Sequence, residues 1–157
     1  MSPPSTSDHA GVVAPAPVFF GIAVVAGFVL ERLVPTSLLS FRYATATGLA
    51  LIAASVTLVA FAVPPLVQAR TAFDARRPTT SIVTSGAFRV SRNPTYLSLA
   101  LLQLGLAFSF QSLWLVVTAA AAIAVTHWGV VLPEERYLER KFGEEYRAYA
   151  AKVRRWL

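Results

Sequence analysis

The sequence predicts an all-α, polytopic membrane protein of about four transmembrane helices, followed by an amphipathic helix lying at the interface. Three observations lead there. Hydrophobic residues make up 55% of the chain and charged ones 14%, with a mean hydropathy of +0.57. Ordinary soluble domains carry roughly 25% charged residues. The apolar residues are also blocked: residues 43–69 and 93–133 contain no Asp, Glu, Lys or Arg. Finally, the basic residues gather at the ends of those blocks. The length of 157 residues suits one domain. We read residues 18–157 as that domain, with 70–157 as its more polar, ligand-competent part.

Residues 1–17 hold Pro3, Pro4, Pro15 and Pro17 among Ser and Ala, which predicts a flexible tail. They lack the basic start of a signal peptide, so the apolar run that follows is read as a retained span. Span one covers about Val18 to Val34, with Glu31 and Arg32 at its far end. Span two lies within Tyr43–Ala69. At 1.5 Å per residue it is about 40 Å long, more than a hydrocarbon core of roughly 30 Å needs. Pro64 and Pro65 are expected to kink or end it. Residues 93–133 then hold two spans joined by a tight turn near Ser109–Ser112. The third span, from about Pro94 to Phe110, sits at the lower limit of length for crossing.

Four spans put both ends of the chain on one side. The segment 70–92, with Arg70, Arg76, Arg77, Arg89 and Arg92 against Asp74, falls on that side. So does the basic segment after residue 133. The opposite loops carry little beyond Arg32 and Arg42. The positive-inside rule makes the common side cytoplasmic. The net charge of +6 is thus expected to meet anionic membrane lipids rather than nucleic acid.

Glu134–Leu157 reads as the amphipathic helix. Leu138, Phe142, Tyr146, Tyr149, Val153 and Trp156 recur at spacings of three and four and form one apolar stripe. Such a helix would lie in the interface plane with Tyr149 and Trp156 at headgroup depth. Gly143 is its weak point and an expected break.

Several chemistries drop out. There is no cysteine, hence no thiolate catalysis and no cysteine metal site. His9 and His127 lie far apart without partners at ligand spacing, so no metal is expected. His127 is expected to be a hydrogen-bonded packing residue. No charged residue sits in the middle of a span, which disfavours a transporter.

Two polar clusters remain: Thr84 to Tyr96, and Pro133 to Leu138 followed by Phe142 to Arg147. Taken singly, each has a plain reading. Asn93-Pro94 suits a helix start, with Asn as cap and Pro at the first position. Pro133-Glu134-Glu135 suits another, its carboxylates facing the helix dipole. Taken together, they converge, because spans three and four form a hairpin that returns Glu134 and Glu135 to the face where Arg92 begins. Carboxylates suit hydroxyls and an ammonium, and Arg suits a carboxylate. The cluster is therefore suited to a zwitterion bearing hydroxyls.

The segments SGAFRVSRNPTYLSLALLQLG and LPEERYLERKFGEEYRAYAAKVRRWL resemble the isoprenylcysteine carboxyl methyltransferase and phospholipid methyltransferase superfamily. The shared pattern is a Gly-x-aromatic turn, an Arg-His-Pro-x-Tyr helix start, an apolar hairpin, a Glu-Glu pair and a Phe-Gly-x-x-Tyr segment. The resemblance covers roughly residues 70–157. It implies an integral-membrane methyltransferase that takes S-adenosylmethionine in a cytoplasm-facing pocket and methylates a lipophilic acceptor. Carried over residue by residue, it implies cofactor contacts from Gly86, Phe88, Arg92, Asn93, Pro94, Tyr96, Leu97, Glu134, Glu135, Tyr146 and Arg147. Arg92 and Glu135 would be the catalytic pair, with Glu135 favoured as a cofactor contact. Asn93 stands where many members have His, and Phe88 where many have Tyr; a proton-transfer role for that His would be lost here. Two other readings stay open: an NADPH-dependent membrane reductase on a similar scaffold, and a non-enzymatic membrane scaffold.

Overall fold

In a computed structural model, the structure describes residues 11–12, 14–36, 41–69 and 79–157. Arg70, Asp74, Arg76 and Arg77 of the basic loop, and residues 1–10 and 13 of the expected tail, lie outside the described residues. The helices are α1 (Ala16–Leu33), α2 (Ala44–Gln68), α3 (Pro94–Ser109), α4 (Leu113–Thr126), α5 (Leu132–Phe142) and α6 (Glu144–Lys152). A 3₁₀ turn spans Gly86–Arg89, and a π turn spans His127–Val131.

Helices α1 to α4 run alternately up and down. Three continuous helical segments are long and apolar enough to cross a membrane: Ala16–Leu33, Ala44–Gln68 and Leu113–Phe142. The 16-residue α3 is shorter, about 24 Å at the α-helical rise. It can be short because it is central. Tyr96, Ser98, Ala100, Gln103, Gly105 and Ala107 are all buried, and α3 packs against α1, α2 and α4. By contrast α1 buries one stripe, Ala16, Phe20, Ala23 and Gly27, and turns Ile22, Val25 and Val29 outward. Exposed apolar side chains of this kind are what a lipid-facing surface requires.

Backbones approach closely where small residues meet. A Cβ on Gly105 would lie 2.6 Å from Ile52 and 2.9 Å from the Gly48 carbonyl. This is the small-residue packing common between membrane helices, where association rests on contact and hydrogen bonding. The Ser55 hydroxyl donates to the Ser98 carbonyl at 2.7 Å across the same pair. Gln103, buried at the α3–α4 contact, donates to Thr118 Oγ1 at 3.1 Å.

Four expectations change in detail. Pro64 and Pro65 do not end α2, which continues to Gln68. A proline so near the end of a helix frees only one or two carbonyls. The start of α1 is also earlier than Val18, and Val12 and Ala16 of the expected tail are buried in a cluster with Tyr96, Val130 and Val131. Pro133-Glu134-Glu135 does not open a free helix. The chain runs from α4 into α5 without a break, through a π turn in which the Leu132 amide donates to the His127 carbonyl. Pro133 lacks an N–H and its ring crowds the carbonyl four residues back, so the wider turn just before it absorbs the misfit.

The last difference concerns the amphipathic segment, which breaks at Gly143 as expected, where a φ of +53° costs glycine no Cβ clash, and then turns back on the bundle. Beyond α6 the chain is extended, and Arg154 pairs in parallel with Ser91 as an isolated β-bridge. The apolar stripe is consequently folded inward. The Tyr149 hydroxyl donates to the Phe88 carbonyl at 2.7 Å, and Trp156 packs on the Tyr96–Val130 cluster.

Candidate functional site

One end of the bundle collects the ends of α2 and α4, the starts of α1 and α3, and all of α5 and α6. Its local architecture begins with Pro65. That residue has no N–H to give the Phe61 carbonyl, so the carbonyl is left open on the surface of α2. Gly86 lies against it: a Cβ at this position would fall on the Phe61 oxygen, and the φ of +59° independently favours glycine. Gly86 thereby seats the 3₁₀ turn on α2 and sets the path of the chain into Ser91–Asn93.

Asn93 holds the cap position of α3, but its side chain makes no cap bond. Its Nδ2 donates to the Arg155 carbonyl at 3.1 Å, and its own amide donates to Ser91 Oγ at 3.1 Å. Ser91 Oγ also donates to the Arg155 carbonyl, at 3.3 Å, and the Arg92 amide donates to the Arg154 carbonyl at 3.0 Å. Helix-cap chemistry is therefore redirected to hold the segment Val153–Leu157.

The carboxylate pair stands at the centre. Glu135 receives Arg155 Nε at 3.1 and 3.0 Å on its two oxygens and Arg155 Nη2 at 2.7 Å. Arg92 Nη2 lies 3.4 Å from its Oε1, and the two side chains are 15% and 12% exposed. Such a fork-shaped pairing combines charge with fixed geometry. Glu134 accepts the Tyr96 hydroxyl at 2.8 Å and has no ion pair among the described residues. The buried Nε–H of Arg92 has no hydrogen-bond partner in the structure. Burial pushes the Tyr146 phenol up to about 12, with the Glu135 charge adding to the effect. Burial likewise raises Tyr149, and the Glu135 contact holds the Arg155 guanidinium above its ordinary value.

Two spaces open beside these groups. A pocket of about 80 Å³ is lined by Leu66, Thr79, Ser81, Ile82, Val83 and Leu138 together with Phe88, Arg92, Asn93, Glu134, Glu135, Tyr146 and Tyr149. A more open cleft of about 550 Å³ is lined by Leu132, Arg136, Glu139, Arg147 and Arg155, among others. The two share Arg92, Glu135 and Tyr146, which form a common wall.

Of the residues singled out from sequence, six line the pocket: Phe88, Arg92, Asn93, Glu134, Glu135 and Tyr146. Gly86, Pro94, Tyr96 and Leu97 stand behind it, Gly86 under the turn and Tyr96 through its bond to Glu134. Arg147 is separate. It is half exposed, faces the cleft and pairs with Glu139 and Glu144. Tyr149 and Arg155 were not singled out. Tyr149 is signalled by its place in the stripe beside Tyr146. Nothing in the sequence marks Arg155, because only the return of the extended segment brings it to Glu135. His127 departs from expectation: its buried Nδ1 has no hydrogen-bond partner, and its ring packs 6.0 Å from that of Trp156. Among the described residues no three metal-ligating side chains come together.

Helices long and apolar enough to span a membrane, with a polar pocket at one end of the bundle, define an integral-membrane protein with a candidate site at that end. The pattern of the phospholipid methyltransferase family matches residues 43–145, about two thirds of the chain. This protein belongs to that family, within the isoprenylcysteine carboxyl methyltransferase-like superfamily. Over 24 residues it is 75% identical to an uncharacterized protein of Haemophilus influenzae, a stretch covering 15% of this chain and 38% of that relative. The chain thus matches under two fifths of that relative's length. No solved structure matches the chain.

Proposed function

We propose that this protein transfers a methyl group from S-adenosylmethionine to a lipophilic acceptor at the cytoplasmic face of the membrane. The observation that carries the reading is the convergence of Glu134, Glu135, Arg92, Asn93 and Phe88 on one pocket next to the bilayer. These groups fit the ligand. Glu134 has no ion pair among the described residues and is suited to an ammonium, or to ribose hydroxyls, and the unpartnered Nε–H of Arg92 is a donor for a carboxylate. Phe88, Tyr146 and Tyr149 offer aromatic surface for a nucleobase. The pocket alone is smaller than the roughly 300 Å³ of typical small-molecule sites. A ligand of this size must use the adjoining cleft across the Arg92–Glu135–Tyr146 wall.

When bound, S-adenosylmethionine supplies an electrophilic sulfonium methyl whose transfer leaves a neutral thioether. The residues of this chain then act by position. Arg92 and Glu135 orient the ligand's polar end, and the buried aromatic groups keep water from the transfer site. An anionic acceptor needs no base. An amine acceptor gives up a proton, for which Glu134 is placed, its carboxylate bonded to Tyr96. The acceptor's apolar part enters from the bilayer. Isoprenylcysteine-type carboxylates and other lipids both satisfy these requirements.

The test is S-adenosylmethionine binding to the purified chain in lipid nanodiscs, with Glu135→Ala and Arg92→Ala alongside and NADPH as competitor. The expected result is micromolar binding that NADPH does not displace and that both folded variants lose. NADPH binding in preference would instead favour a reductase, for which the arginines of the cleft would hold the extra phosphate. No binding of either ligand would favour a scaffold role.

A further inference from the structure

The segment Val153–Leu157 does more than trail from α6. Three hydrogen bonds tie it to Ser91–Asn93: the Arg92 amide to the Arg154 carbonyl, and both Ser91 Oγ and Asn93 Nδ2 to the Arg155 carbonyl; the Asn93 amide is held in turn by Ser91 Oγ. On the other side Trp156 packs against the Tyr96–Val130 cluster. Anchored at both flanks, the Arg155 side chain has one place to go. Its guanidinium meets both oxygens of Glu135.

We infer that Arg155 is a positioning residue of the cofactor site, delivered by the Val153–Leu157 strap and acting through Glu135; this rests on the methyltransferase reading above. Three features support it. Glu135 belongs to both the pocket and the cleft, so its orientation sets the wall between them. Its carboxylate is only 12% exposed, and a carboxylate so enclosed is oriented by its partners rather than by water. Arg155 supplies three of its contacts and Arg92 one longer contact, at 3.4 Å. The fork also takes up the charge of Glu135, which leaves Glu134 as the carboxylate without an ion pair among the described residues. Two adjacent, identical side chains are in this way made unequal by a residue twenty positions further on. The same argument explains Asn93. Where the family pattern has His, this chain uses the amide to hold the strap that carries Arg155.

The fork geometry is the point of the test, since lysine keeps the charge but not the planar pair of donors. Arg155→Lys, Arg155→Ala, Glu135→Gln and the double variant Arg155→Ala/Glu135→Gln are prepared as full chains in nanodiscs. S-adenosylmethionine affinity is read by calorimetry. Strap docking is read separately by hydrogen exchange at the Arg92 amide, which Arg154 protects. The expected result is a loss of affinity of about tenfold or more in Arg155→Lys with the Arg92 amide still protected. The double variant should be no weaker than Glu135→Gln alone, because both changes act through one carboxylate. Wild-type affinity in Arg155→Lys would overturn the inference. So would an affinity loss that appears only together with loss of Arg92 protection, for then the strap is an anchor of the fold and the fork positions nothing. An unmodified protein that binds no S-adenosylmethionine would instead overturn the methyltransferase reading, and this inference with it.

Discussion

The two ends of the helical bundle each enclose carboxylates, and they treat them in opposite ways. At one end Glu31 is surrounded by neutral donors. Its oxygens accept the Thr36 amide at 2.5 Å, the Thr36 hydroxyl at 2.9 Å and the Ser112 hydroxyl at 2.5 Å. Thr36 Oγ1 in turn accepts the Leu113 amide, and Trp114 donates to the Val34 carbonyl at 2.8 Å. Every partner of Glu31 belongs to the residues just after α1 or the turn before α4, so the carboxylate stitches one loop to one turn. At the other end Glu135 faces two guanidinium groups and Glu134 faces a phenol and an open pocket. The lesson concerns capacity. A carboxylate whose partners are all neutral groups of the fold has been spent on structure. One that borders a cavity, beside an unpartnered buried donor such as Arg92 Nε, retains valence for a ligand.

The sharpest way to break this contrast is to remove one carboxylate from each end. Glu135→Ala strands Arg92 and Arg155 beside the pocket, and S-adenosylmethionine affinity is expected to fall about a hundredfold or more. Glu31→Ala should instead lower stability, since the hydrogen bonds that join the residues after α1 to the turn before α4 are lost. The folded fraction should bind the ligand normally. Denaturant unfolding and calorimetry on the same samples check both, and a Glu31→Ala protein that folds well but binds poorly would erase the distinction.

A smaller effect is expected from Gly86→Ala. The added methyl meets the Phe61 carbonyl and a positive φ, at a cost of about 1–2 kcal/mol. Ligand affinity should weaken with it, because the turn leads into Arg92. The matching change at Gly143, where no atom lies within 4 Å of the added Cβ, should cost less. Thermal unfolding compares the two.

Tyr96→Phe removes one hydrogen bond to Glu134, worth about 1 kcal/mol, and should weaken binding by a few fold without altering the fold. An unchanged affinity would mean that Glu134 needs no orientation from α3. The smallest effect lies in the alkaline range. Tyr146 is raised from 10.0 to about 12 by burial and by the nearby Glu135 charge, so its neutral form is favoured in the folded state. The stability it contributes is complete below pH 10 and is lost as pH rises toward 12. A spectrophotometric titration should show this phenolate appearing well above the ordinary tyrosine range, and that step should vanish in Tyr146→Phe. A Tyr146 titrating near 10 would mean that the phenol is in water rather than in the wall of the site.

Much of this architecture was legible in the sequence. Uncharged blocks wide enough for a bilayer announce spanning helices with little need of context, because a helix is the form in which a single segment satisfies its own backbone hydrogen bonds in lipid. The hairpin turn at Phe110–Ser112 and the break at Gly143 were equally plain, each marked by residues with local reasons to stop a helix. Six of the eleven residues read as cofactor contacts do line the pocket, since a helix start and a carboxylate pair on adjoining spans must come out on one face.

What the sequence could not carry was every feature made by chain returning on chain. The roles of Asn93 and Arg155, the freeing of the Phe61 carbonyl for Gly86, and the inequality of Glu134 and Glu135 all depend on partners twenty to sixty positions away. Periodicity and propensity report what a residue does within its own helix. Composition therefore determined that this protein lives in a membrane, and the motifs determined which end of it holds the polar groups. The tertiary structure alone decided which carboxylate is paired and which is left open, because ion pairing is settled by distances of about 3 Å that local sequence does not encode.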